Sequence, residues 1–200
     1  MASHLFRFAF ASMLSMHLIA NDLPSTIKQC DACHGDNGNS LNKNFPSIAG
    51  FSEFYLDDNL RVYRDKARPC VVAEFPGENK AEAVSMCDIT ANLSNQTITE
   101  IAQFYAKQTF KRVTQEFDPT KAKVGAKVHE KHCRRCHSSG GSDRLDDAGI
   151  LAGQWTTYLS DTFSEYESGK RLQPEKMAEK FNKLDADSKE ALLHYYASQQ

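Results

Sequence analysis

The chain has 200 residues, with 24 Lys+Arg against 26 Asp+Glu and a formal net charge of −2. That balance argues against a nucleic-acid-binding protein, which carries a basic excess. A content of 40% hydrophobic and 25% charged residues excludes a disordered chain. No apolar run reaches the roughly 18 residues of a membrane span, and the length allows one large domain or two small ones.

Residues 1–20 combine Arg7 with a mostly apolar or small run from Phe8 to Ala20, and the polar residues Asn21, Asp22 and Pro24 follow. This pattern predicts a secretory signal peptide cleaved after Ala20, the alternative being a buried N-terminal helix. Export, here to the periplasm, would place the chain where spare cysteines pair. Removing the leader takes Met1, Met13 and Met16 with it and leaves only Met86 and Met177.

Cys30-Asp31-Ala32-Cys33-His34 and Cys133-Arg134-Arg135-Cys136-His137 are two C-x-x-C-H motifs, the attachment signature of haem c. Two cysteines three apart share one face of a helical turn, so both sulfurs reach the vinyl groups of one porphyrin. The histidine that follows offers a neutral imidazole to the iron from the same side. A redox dithiol does not need the adjoining histidine twice. A zinc site needs four ligands, and the two clusters are 103 residues apart.

The chain aligns with itself at an offset of 103, which superposes the two motifs. The same offset places Ala49-Gly50 on Ala152-Gly153, Tyr55-Leu56 on Tyr158-Leu159, Tyr63 on Tyr166 and Arg68 on Arg171. Beyond Arg68 the offset is 91. Met86 then falls on Met177, Leu93 on Leu184, and Tyr105-Ala106 on Tyr196-Ala197. The halves are thus two copies of one fold, and the first carries twelve extra residues between Arg68 and Met86. The repeat-equivalent methionines are the candidates for the sixth iron ligand, against the alternative of two core methionines.

In chain order, each C-x-x-C-H is expected to end a helix, the second over Val124 to Cys133. Further helices are expected near Phe54–Tyr63, Thr97–Gln108, Thr156–Tyr166 and Ser188–Ser198. Thr97 and Glu100 have capping-box spacing, and Ile98, Ile101, Ala102 and Tyr105 form one apolar stripe. No strand pattern stands out. The fold class is therefore all-α, with a leader over 1–20, a first domain over 21–110, a linker over 111–123 and a second domain over 124–200. Cys70, in the insertion, and Cys87, beside Met86, are expected to form a disulfide, the alternative being two buried thiols. Closing a loop of about 18 residues stabilises by about 3 kcal/mol in the chain-entropy account. His129 and His132 are expected to face solvent, and Trp155 to pack on a haem edge. Residues 21–110 carry 8 basic and 12 acidic side chains, and residues 111–200 carry 15 and 14.

On both C-x-x-C-H motifs, Pro46-Ser47-Ile48-Ala49-Gly50, and Met86 to Leu93-Ser94, the chain resembles the two-domain dihaem class I cytochromes c. These include the cytochrome c4 group and the cytochrome subunit of flavocytochrome c sulfide dehydrogenase. The second half, from Gly125 through Ile150 to Trp155 and on to Gln200, looks most like the latter. The resemblance implies two tandem class I cytochrome c domains and two covalently bound haem c groups. It implies His34/Met86 and His137/Met177 as axial pairs. One departure is Gly149, which stands where the repeat has Pro46, the residue whose carbonyl holds the ligand imidazole in the family.

Two six-coordinate haems leave no open iron, so electron transfer is expected rather than catalysis by the chain on its own. The favoured donor is a flavoprotein of the sulfide dehydrogenase type. The alternative is a free-standing shuttle to a terminal oxidase, and third comes a dihaem enzyme such as a peroxidase or thiosulfate dehydrogenase. The chain has no G-x-G-x-x-G fingerprint, so a flavin would belong to the partner. No nucleic acid is expected, and membrane contact at most peripherally through a partner.

Overall fold

Each half opens on a helix that runs into its C-x-x-C-H motif. The computed structural model describes residues 22–73 and 84–200. The expected leader and the middle of the first-half insertion lie outside the described residues.

Helix α1 spans Leu23–His34, with Pro24 in its first turn, where a missing N–H costs nothing. It stops at Gly35, whose φ of 77° favours glycine. Helix α2, Glu53–Arg64, is capped by Ser52, whose hydroxyl accepts from the Tyr55 N–H. Met86 opens the short helix α3, Met86–Thr90, where Ser85 and Asp88 form a reciprocal capping box. Helix α4 spans Asn95–Ala106. Its cap is Ser94, which accepts from Thr97 N, so Thr97 is the third residue of the helix rather than its cap. Glu100 correspondingly accepts from Gln96 instead of closing a box.

The second half repeats the order. Helix α5 spans Pro119–His132, α6 Thr156–Glu167, α7 Glu175–Phe181 and α8 Ala186–Ala197. Helix α5 starts five residues before Val124, because Asp118 caps it through Thr120 N and Lys121 N and Pro119 fills its first position. The last five residues of the expected linker, 119–123, are therefore helical. The helix also ends before Cys133. The Cys133 and Arg134 N–H groups both donate to His129 O, which opens the last turn, and the motif continues as turns. Among the described residues the backbone forms no strand. A lone antiparallel bridge, Ala73 to Val84 at 3.0 and 3.1 Å, closes the neck of the insertion.

The repeat extends to individual hydrogen bonds. Gly38 O accepts from Ile48 N and Ala49 N, and Gly141 O accepts from Leu151 N and Ala152 N. Tyr105 O accepts from Gly50 N at 2.9 Å, and Tyr196 O from Gly153 N at 2.9 Å. Gly38 and Gly141 have φ of 77° and 86°, and a Cβ would strike the Tyr105 ring at the first and crowd the Tyr196 ring, at 3.2 Å, at the second. The two tyrosines are the largest fully buried side chains. They join the last helix of each half to its first. Tyr105 Oη donates to Asp31 Oδ1 at 2.8 Å, and Tyr196 Oη lies 3.1 Å from His129 Nδ1. His129 is therefore buried, 2% exposed, and does not face solvent. His132 is half-buried.

Candidate functional site

Cys30, Cys33, His34 and Met86, which lie on two helices more than fifty residues apart, all line one cavity. Ile48, Phe51, Leu56, Leu60, Ile89, Leu93 and Ile101 make its walls apolar. The volume of this cavity is about 250 Å³.

His34 Nδ1 donates to Pro46 O at 2.8 Å, which leaves Nε2 unprotonated for a metal. Burial holds this imidazole below the usual histidine pKa, while the Pro46 carbonyl pulls the other way. The ring is neutral, the form that ligates iron. Burial pushes the Cys30 thiol up to about 11 and also raises those of Cys33 and Cys133. A reactive thiolate needs the opposite shift, so burial keeps these three thiols in the inert form. Among the described residues no three His, Cys, Asp or Glu side chains gather as a bare-ion site. The donor set and the apolar walls fit a covalently attached haem.

In the second half Cys133, Cys136 and His137 lie in the turns after α5, and Met177 lies on α7. Burial, and His129 nearby, hold His137 below the usual histidine pKa. Its Nδ1 is buried beside the Gly149 carbonyl without a hydrogen bond of normal geometry. The glycine has a local cause. A Cβ at Gly149 would stand 2.8 Å from Tyr55 Oη, so a first-half tyrosine occupies the place a proline would need.

Cys70 and Cys87 form a disulfide with Cα atoms 5.4 Å apart. It ties the neck of the insertion to α3, directly after Met86. Thr90 Oγ1 donates to Met86 O at 2.8 Å and closes the same short helix.

The cavity also reaches across the molecule, because Tyr158, Asp161, Thr162 and Glu165 of α6 line it. Here the repeat-equivalent pairs Tyr55/Tyr158, Tyr63/Tyr166 and Arg68/Arg171 meet. Arg68 lies over the Tyr63 ring at 4.4 Å and Arg171 over Tyr166 at 4.8 Å. Arg68 also donates to Asn59 Oδ1. Burial pushes the Tyr158 hydroxyl up, but the two guanidiniums outweigh it and hold it below the ordinary tyrosine value. Tyr55 is pushed up to about 12, because burial and Tyr158 outweigh the same two guanidiniums.

Trp155 also reaches across the molecule. Its Nε1 donates to Ser40 O at 3.0 Å, joining the halves. Beside it, Gln154 is fully buried, and both ends of its amide bond the backbone of Ser47. Sequence reasoning passed over Gln154. The signal was available, since the 103-residue offset places it on Phe51, a core residue, and a buried amide demands partners.

No family model matches the chain. Cytochrome c4 of Pseudomonas aeruginosa is 31% identical over 152 residues, 71% of this chain and 68% of that protein. A thiosulfate dehydrogenase electron acceptor of Thiomonas intermedia is 26% identical over 163 residues, 74% of this chain and 67% of that protein. The crystal structure of reduced recombinant cytochrome c4 from Pseudomonas stutzeri superposes with a TM-score of 0.67 at 26% identity, covering 89% of this chain and 98% of that one. The chain belongs to the cytochrome c4 family, all-α electron-transfer proteins of two tandem class I cytochrome c domains with two covalently bound haem c groups.

Proposed function

We propose that the protein is a periplasmic electron carrier that serves a sulfur-oxidising redox enzyme. Cys30 and Cys33 would hold one haem and Cys133 and Cys136 the other, with His34 and Met86 ligating the first iron and His137 and Met177 the second. The observation that supports this most is the gathering of Cys30, Cys33, His34 and Met86 on one apolar cavity. Each haem supplies one-electron chemistry, its iron alternating between ferric and ferrous. The chain's own contribution is positional. His34 is oriented by Pro46, and Met86 is held at the start of a capped, disulfide-tied helix. The apolar walls exclude water and so limit the reorganisation that accompanies a change of charge. With His34/Met86 and His137/Met177 as ligands, neither iron would keep a place for substrate, and the chain would act as an electron carrier.

The electron donor is a flavoprotein of the sulfide dehydrogenase type on the resemblance of the second half. A thiosulfate-oxidising enzyme is favoured instead by the similarity to the Thiomonas electron acceptor. A free-standing shuttle to a terminal oxidase is the third form. Purification from the native host decides among them. A bound flavoprotein supports the first, a co-purifying thiosulfate-oxidising haem enzyme the second, and a lone chain that reduces an oxidase the third. High-spin iron, or no sulfur-to-iron charge-transfer band in the oxidised spectrum, overturns the methionine assignments.

A further inference from the structure

Pro46 C=O and Ser47 N–H belong to one planar peptide unit, so neither group turns without the other. On one side of that unit His34 Nδ1 donates to the carbonyl at 2.8 Å. On the other, the Ser47 N–H donates to Gln154 Oε1 at 3.0 Å. Gln154 Nε2 returns a bond to Ser47 O at 2.9 Å, which fixes the amide in plane with the loop. Gln154 and Ser47 are both fully buried, so water cannot replace either bond. A chain of hydrogen bonds therefore runs from the second half of the molecule, through a single peptide, to the imidazole of the first site. Bonds in such a chain polarise one another. An acceptor on the N–H makes the carbonyl a stronger acceptor, which makes the imidazole a more basic ligand.

The second site has no counterpart. The residue equivalent to Gln154 is Phe51, and His137 Nδ1 lies beside the Gly149 carbonyl without a hydrogen bond of normal geometry. We propose that Gln154 is a positioning residue for the first haem, making the strength of the His34–Pro46 bond depend on the docking of the second half against the first. The proposal rests on the assignment of His34 as an iron ligand. Its consequence is directional. A more basic imidazole favours ferric iron, so loss of the Gln154 bonds raises the first haem's midpoint potential and leaves the second haem's unchanged.

The test uses the full two-haem protein. Q154M keeps the side-chain volume and removes both bonds, and Q154A gives the same readout if the larger side chain prevents folding. W155F is the control, because it removes a neighbouring bond between the halves, Trp155 Nε1 to Ser40 O, without touching the Ser47 peptide. Each protein is titrated electrochemically, and the His34 ring N–H is followed by NMR in the reduced state. The expected result is an upward shift of one potential and a displaced His34 N–H resonance in Q154M, with neither in W155F. The proposal falls if Q154M leaves the first haem unchanged, if both haems shift equally, or if W155F reproduces the shift. If His34 shows no haem-shifted resonances in the natural protein, the ligand assignment itself has failed, which is a separate outcome.

Discussion

Tyr105 accepts from Gly50 in the first half as Tyr196 accepts from Gly153 in the second, both at 2.9 Å. Gly38 and Gly141 support the same loops against the same tyrosines. The halves part company elsewhere. In the second half, Gly125 lets α5 and α8 bring their backbones together. A Cβ there would stand 2.0 Å from Ala191 O. The first half has Asp22 at the equivalent position, ahead of its helix, and no such close approach. It has instead a disulfide beside Met86 that the second half lacks. One copy is closed by helix packing and the other by a covalent tie. The loop frame that faces the cavity was kept in both, while the means of closing the domain was free to diverge.

The hardest test of this comparison removes one anchoring pair at a time. C30S/C33S should leave one haem per chain by the pyridine haemochrome assay and unfold the first half. A domain of about 90 residues has a marginal core without its cofactor. C133S/C136S should do the same to the second half. If either variant still binds two haems, the anchors are misassigned. Next, C70S/C87S should destabilise the first half by about 3 kcal/mol and leave the second unaffected. The measurement is thermal unfolding followed at bands assigned to each haem, and equal losses in both halves would contradict two separate means of closure. G125A should act in the opposite half. Forcing a methyl against the Ala191 backbone costs about 1–3 kcal/mol, as overpacking does, and the first half should keep its stability in the same melt.

The smallest effects concern the α3 cap. S85A should cost about 1 kcal/mol, read as a lower midpoint for losing the sulfur-to-iron band on heating. Bonds from the Ser85 hydroxyl and N–H hold the Asp88 carboxyl below the usual carboxylate range. A depressed folded-state value means that its contribution is complete above the ordinary carboxylate pKa and disappears as pH falls through the folded one. The midpoint should therefore drop on acidification in the natural protein. D88N should flatten that dependence. A slope unchanged in D88N would remove Asp88 from the account.

The repeat was legible because its signals are local. Two C-x-x-C-H motifs, paired glycines and two lone methionines each keep a fixed spacing. Helix termini were less legible, because two polar residues competed for one role. Ser94 lies three residues before Thr97 and took the cap. The contacts between the halves were not legible at all. Gln154 meets Ser47 across 107 residues, and Tyr55 meets Gly149 from the opposite half. Neither pair belongs to a period or a motif. His129 was misplaced for the same reason, since it is fixed by a distant partner, Tyr196, and not by its neighbours in sequence.

The arginines between the halves have a bearing on the protein's cargo. An electron is a negative charge, and Arg68 and Arg171 are fixed positive charges stacked on aromatic rings. Among the described residues, Glu165 pairs with Arg171 at 3.9 Å. Dissolved ions screen surface charges within about 10 Å but have little effect on a buried pair. The first cavity is lined by Arg68 itself, so a charge arriving there meets a guanidinium that changes in salt concentration screen little.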